Sequence, residues 1–165
     1  GRVNKKRKQT VIYSLDTSCL IHAWRRAYPQ RNFPPFWDKL DELIADGRLF
    51  SSAEVLKEIK RKDDQLYEWC KSRSDVFLPI DDDVQDHVLE IMRDYPKLVD
   101  TSKGRSGADP FVISLARMNG DGWVVLSEEN PGKQASPKIP DVCAAERIRC
   151  VRLVELIQDE DWIFR

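Results

Sequence analysis

Histidine is almost missing from this sequence: His22 and His87 are the only two in 165 residues. Two imidazoles exclude a histidine-rich metal centre and argue against a Ser-His-Asp triad. The four cysteines, Cys19, Cys70, Cys143 and Cys150, form no CxxC pair and have no histidine at zinc spacing. They read as buried free thiols. No apolar run approaches membrane-spanning length, and the N-terminus carries no apolar core of the secretory kind. A cytoplasmic protein with no membrane contact is the expectation. Internal repeats, low-complexity stretches and interdomain linkers are also lacking.

What is present is an ordinary globular composition, 41% hydrophobic and 33% charged, at a length that buries a core without disulfide or metal staples. The net charge of -1 hides an uneven distribution, because Arg2, Lys5, Lys6, Arg7 and Lys8 crowd the start. Taking these five from the 27 basic residues leaves 22 against 28 acidic ones. Residues 1–10 therefore read as a basic disordered tail and 11–165 as one domain.

The chain is organised around VIYSLDTSCL at 11–20. Its apolar start has the length and composition of a buried parallel strand and stops at Asp16, Thr17 and Ser18. Asp16 thus stands at a strand's C-terminal end, the side on which open α/β sheets bind ligands. Its structural alternative is a helix cap. A helix follows over 17–27, with Leu20, Ile21 and Trp24 at core spacing, and then a proline-broken loop over 28–35. Phe36, Trp37, Leu40, Leu43 and Ile44 mark an amphipathic helix closed by Gly47. Trp24 and Trp37 read as core. A brief strand at 48–51 leads to Ser52, which caps a helix through Val55, Leu56 and Ile59. Another helix carries Leu66, Tyr67, Trp69 and Cys70.

Residues 76–80, interrupted by Pro79, read as an edge strand or an extended connector, and 81–83 introduce a helix through Val84, Val88, Leu89, Ile91 and Met92. Residues 95–107 end in a flexible basic loop, KGRSG. Asp109-Pro110 opens a helix over 111–118, followed by a strand at 123–126 and a polar loop over 127–140. A short helix near 142–147, a strand at 149–151 and a helix near 153–157 complete the chain. This alternation predicts an α/β fold, a three-layer α/β/α sandwich on a central, mostly parallel sheet.

Acids follow several strand ends: Asp16 after the first, Glu54 and Glu58 after the second, Glu128 and Glu129 after the strand at 123–126. Asp109 opens the helix leading into that last strand. Right-handed crossovers bring consecutive strand ends to one edge of the sheet, and Glu54 and Glu58, four apart, share a helix face. Carboxylates without histidine or thiolate suit Mg²⁺ or Mn²⁺, and their natural reaction is phosphoryl-ester hydrolysis. There a metal activates water while it, or a second ion about 4 Å away, stabilises the leaving oxygen. Arg25, Arg26, Lys60, Arg61, Lys103, Arg105 and Lys133 are candidates for holding a phosphate backbone. Each acid also has a purely structural use as a cap, an exposed helix face or a surface turn. Geometry alone leaves the two readings level.

The segments SLDTSCLI, SSAEVLKEI, GADPFVISLA and WVVLSEE, in that order, resemble the PIN-domain ribonucleases, among them the VapC-like toxins. A YP…FPxFW segment over 28–37, the GADP turn and IPDVC at 139–143 resemble a particular PIN-like subfamily. The resemblance spans 11–156. It implies that Asp16, Glu58 and Asp109 are the first three acids of the site, with Glu54 as an accessory ligand. Ser127 and Glu129 occupy the Thr-x-Asp position, so that the fourth acid is a longer Glu. Thr17, Ser127, Arg25 and Arg105 are the side chains expected to support the acids or the substrate. The activity implied is that of a Mg²⁺- or Mn²⁺-dependent endoribonuclease acting on RNA, the toxin half of a toxin–antitoxin pair. It would be opposed by an antitoxin protein, and a homodimer is implied as well. The five tryptophans and Phe36 are candidates for part of the antitoxin interface, with core the preferred reading for Trp24 and Trp37. Two competing readings remain. A catalytically weak PIN-like module binding RNA or protein is one. A phosphatase of the haloacid-dehalogenase kind ranks lower, because it needs a second Asp where this chain has Ser18.

Overall fold

Every pairing in the sheet is parallel. A computed structural model describes residues 11–99 and 107–164; the basic segment 1–10 and Lys103 and Arg105 of the KGRSG loop lie outside the described residues. The strands are β1 (Ile12–Leu15), β2 (Leu49–Ser52), β3 (Phe77–Leu78), β4 (Trp123–Leu126) and β5 (Arg149–Val151), in the order β3-β2-β1-β4-β5. Register runs Tyr13 to Leu49, Leu15 to Leu126, Ser52 to Leu78 and Leu126 to Val151. The helices are α1 (Thr17–His22), α2 (Pro34–Ala45), α3 (Ala53–Lys62), α4 (Asp64–Lys71), α5 (Asp82–Asp94), α6 (Asp109–Asn119), α7 (Ile139–Ala145) and α8 (Leu153–Asp159). The result is the expected α/β/α sandwich.

Strand order decides where the site can be. From β1 the chain steps outward through β2 to β3, then crosses back to lay β4 on the other side of β1 and β5 beyond it. Strand order therefore reverses between β1 and β4, and a crevice opens beyond their C-terminal ends. Asp16 follows β1 directly and Ser127 follows β4, with Asp16 N–H donating to Leu126 O at 2.9 Å. Two buried serines tie this region together. Ser51 Oγ donates to Leu15 O at 2.6 Å, and Ser14 Oγ donates to Val112 O in the first turns of α6 at 2.8 Å. Ser14 thereby fixes the helix whose first residue is Asp109.

Element boundaries follow local chemistry. Ser52 caps α3 by accepting from Glu54 N–H at 3.2 Å, and Gly47 closes α2 at φ +69°, where a side chain would be strained. The expected helix over 17–27 divides: α1 ends at His22 and a π-helical turn (Ala23–Ala27) follows, with Tyr28 N–H donating to Ala23 O at 2.9 Å. Helix α7 starts three residues earlier than periodicity indicates. Pro140 stands in its first turn, where no N–H is needed, and Asp141 reaches back to accept from Lys138 N–H at 2.9 Å. Cys19, Cys70 and Cys143 are buried free thiols and Cys150 is half-buried.

One main core surrounds the sheet. Trp37 is buried, stands edge-on to Trp24 and Trp69 at centroid distances of 5.1 and 5.0 Å, and donates its indole N–H to Tyr28 O at 2.7 Å. The core reading of Trp37 thus holds, as does that of Trp24, half-buried against the same cluster. Among the described residues no helix is long and apolar enough to cross a membrane.

Candidate functional site

Asp16 occupies the N-cap position of α1 without acting as a cap, since its side chain makes no capping bond to the helix. Its Oδ2 accepts instead from Ser18 Oγ at 2.5 Å and from Ser127 Oγ at 3.1 Å. The capping position of α6 belongs to Ala108, which leaves Asp109 as the first helical residue and buried. Glu129, in the turn after β4, completes the group. One carboxylate oxygen from each of Asp16, Asp109 and Glu129 lies within 4.8 Å of the other two.

This group forms the floor of a hollow of about 310 Å³, whose walls include Thr17, Ser18, Ile21, His22, Arg25, Arg26 and Lys62. Crowding has an electrostatic consequence. Burial, and next the neighbouring Glu129 carboxylate, push the Asp16 carboxyl up to about 7 against the opposing pull of the Ser18 and Ser127 hydroxyls, and Glu58 adds a smaller push. A divalent cation placed among the three carboxylates removes that penalty. An all-oxygen, anionic donor set is also the kind that Mg²⁺ and Mn²⁺ prefer.

The remaining expected residues are distributed around this centre. Glu58 is buried on α3 and accepts from Thr17 Oγ1 at 2.9 Å, and it is not one of the three converging carboxylates. Glu54 points elsewhere: it pairs with Lys57 at 3.3 Å and lines a separate apolar hollow with Ile80, Val88, Leu89 and Phe111. Facing that hollow, it is not brought to the acidic group as the accessory ligand it was expected to be. Arg25 does reach the wall of the acidic hollow, yet its guanidinium is committed to Asp63 at 3.0 Å and to Lys62 O at 2.6 Å. Arg105 lies outside the described residues.

The turn after β4 is shaped by Ser127, which the sequence reading named, and by Ser18 and Arg152, which it missed. Ser18 Oγ accepts from Glu128 N–H at 3.0 Å and Ser127 Oγ accepts from Glu129 N–H at 3.2 Å, so both hydroxyls bridge the turn to Asp16. Arg152, just before α8, donates to Glu128 O at 3.1 Å, Glu129 O at 3.3 Å and Asn130 Oδ1 at 2.5 Å. The Glu129 carboxylate is itself oriented by Ile139 N–H, the first of α7, at 3.1 Å. The D-T-S spacing hinted at Ser18; no sequence signal pointed to Arg152.

The sequence matches a family model described as "Domain of unknown function (DUF4411)" over residues 13–164. The chain belongs to this PIN-like family. The resemblance read from the sequence thus holds for family and fold. No curated protein matches this DUF4411 chain. Among solved structures, "DNA bound VapBC from Salmonella typhimurium" is similar to it with a TM-score of 0.48 and 14% identity, covering 86% of this chain and 98% of that one.

Proposed function

We propose that this DUF4411 chain is a metal-dependent endoribonuclease that hydrolyses RNA phosphodiester bonds in the cytoplasm, and that it is the toxin of a toxin–antitoxin pair. The observation that carries the reading is the convergence of Asp16, Asp109 and Glu129 on the floor of an open hollow at the point where strand order reverses. In this proposal residues 11–165 act as one domain, and Asp16, Asp109 and Glu129 hold a Mg²⁺ or Mn²⁺ ion. Such an ion, when bound, supplies the activation of water and the charge neutralisation that phosphodiester hydrolysis needs.

The protein's own groups position and bias the site. Ser18 and Ser127 fix the plane of the Asp16 carboxylate through Oδ2. Near neutral pH Asp16 still exchanges a proton, which must leave before a cation enters. Glu58 orients Thr17 and adds negative potential that favours a cation. Ile139 N–H and the Arg152 guanidinium hold Glu129 and its turn against Asp16. An antitoxin protein and a second copy of the chain are the proposed partners. Exposed Leu89 and Met92 on α5 offer apolar surface for a protein contact.

The test is cleavage of a panel of structured and single-stranded RNAs with Mn²⁺, Mg²⁺ or EDTA, comparing wild type with Asp16→Asn. Cutting by wild type with metal, abolished by EDTA and lowered at least about 10²-fold by Asp16→Asn, supports the reading. Equal inactivity of both folded proteins on every RNA overturns it and leaves a PIN-like module that binds RNA or protein.

A further inference from the structure

The acidic hollow is lined by charge of both signs. Asp16, Asp109 and Glu129 form the floor, while Arg26 and Lys62 stand among its lining residues. Arg26 belongs to the π-helical turn after α1, and Lys62 is the last residue of α3. Among the described residues, neither side chain makes a hydrogen bond or an ion pair. Arg25, next to Arg26, differs: it binds Asp63 and the Lys62 carbonyl, and so locks the end of the α1 segment to the end of α3. That clasp holds Arg26 and Lys62 on one rim.

Solvated cations at a helix end have an ordinary explanation, since Lys60, Arg61 and Lys62 all complement the C-terminal dipole of α3. The dipole does not account for Arg26, nor for two unpaired cations lining the hollow whose floor is anionic. Arg26 is nine residues beyond Thr17, a backbone rise of about 13 Å from the start of α1, where Asp16 stands. One phosphodiester at the floor does not reach that far. A ligand that meets both the acids and the two cations must be a strand.

We propose that Arg26 and Lys62 bind a phosphate of single-stranded RNA that flanks the one held at the acids, and that the strand leaves the floor along α1 toward the end of α3. This rests on the nuclease reading and adds to it a direction for the strand, two named contacts and a minimum substrate length. Arg152, on the β5 side, is instead committed to the turn after β4. The contacts are to phosphate and carry no sequence preference.

The experiment measures binding of a fluorescein-labelled 12-nucleotide single-stranded RNA to the Asp16→Asn protein by anisotropy from 50 to 300 mM NaCl. Arg26→Ala/Lys62→Ala is made in the same background, with Arg93→Ala as a control at an exposed cation on α5 paired to Asp94. Each lost phosphate contact lowers the slope of log K against log salt by about 0.7 on a single strand. The double variant loses the contact to that one phosphate and is expected to lower the slope by about 0.7, Arg93→Ala to leave it unchanged, and a dinucleotide to bind both proteins equally. An unchanged slope in a double variant with a wild-type melting curve overturns the strand path. If the wild-type chain still cuts RNA with metal, the nuclease reading survives that result. No RNA binding by the parent, with poly-glutamate binding that the double variant loses, assigns the rim to an acidic protein and also overturns the proposal.

Discussion

At the scale of single residues, Asp16 is under opposed demands, because burial and the Glu129 carboxylate favour its protonated form whereas a cation needs the charged one. Its folded value of about 7 lies above its ordinary value of 3.8. Its contribution to stability is therefore complete below about pH 4 and is lost as pH rises through about 7. In the absence of metal, Asp16→Asn should gain on wild type across that window. Urea denaturation in EDTA at pH 4.5 and pH 8 measures the gap, which is expected to widen in favour of the variant at pH 8. Metal binding has the opposite dependence: Mn²⁺ affinity rises with pH until Asp16 is ionised and then levels off. The Ser18 hydroxyl at 2.5 Å favours the charged form. Removing a hydrogen bond to a charged group costs about 1.5 kcal/mol, or about tenfold. Ser18→Ala should weaken Mn²⁺ binding by about that factor at pH 7 and by less at pH 9, where proton competition has ended; isothermal titration at both values checks it.

At the scale of elements, the sequence was legible wherever a period and a stop signal coincided. Phe36 to Ile44 with Gly47, Ser52 before Val55, and the strands at 123–126 and 149–151 all folded as their patterns indicate. Periodicity alone was misleading at α7, whose first turn is set by Pro140 and by the backward reach of Asp141 rather than by apolar spacing. Asp16, Asp109 and Glu129 were legible as acids at strand and helix ends. Glu54 could not be told from Glu58 by spacing, because residues four apart share a helix face only broadly and Ser52 caps the turn where Glu54 begins. Long-range holders such as Arg152 were invisible, since a side chain 24 positions from Glu128 leaves no periodic trace. That residue yields its own prediction. Arg152→Met keeps the apolar stem of a half-exposed side chain but removes its bonds to the turn carrying Glu129. Stability should fall by only about 1 kcal/mol, while Mn²⁺ affinity drops several-fold as Glu129 loses its fixed position. A large loss of stability with unchanged affinity would show that Arg152 serves the fold alone.

At the scale of the whole molecule, the two ends of the sheet have different tasks. Beyond the C-terminal ends of β1 and β4 lie the acids, unfavourably close to one another. At the other end, Arg48 donates to Val11 O at 2.9 Å and pairs with Glu160 at 2.7 Å, and Tyr13 OH donates to the same carboxylate at 2.6 Å. Burial, reinforced by Glu160, holds the Tyr13 hydroxyl well above its ordinary range, so it stays a donor at any physiological pH. Glu160 follows α8, so this trio fastens the last helix to the first strand and to the start of β2. The side chains of Arg48 and Glu160 are only 13% and 8% exposed. Removing one partner of such a pair leaves a buried, uncompensated charge, at a cost of about 3 kcal/mol. Glu160→Ala should lower stability by about that much in urea, and Glu160→Gln by less, because the amide oxygen still accepts from Tyr13. Tyr13, the member of this clamp nearest to Asp16 in sequence, stands three residues before it, about 10 Å of paired strand. Mn²⁺ affinity of folded Glu160→Ala should therefore equal that of wild type. A parallel loss of affinity and stability would mean that the acids are positioned by the molecule's global stability rather than by their own serine, arginine and helix contacts.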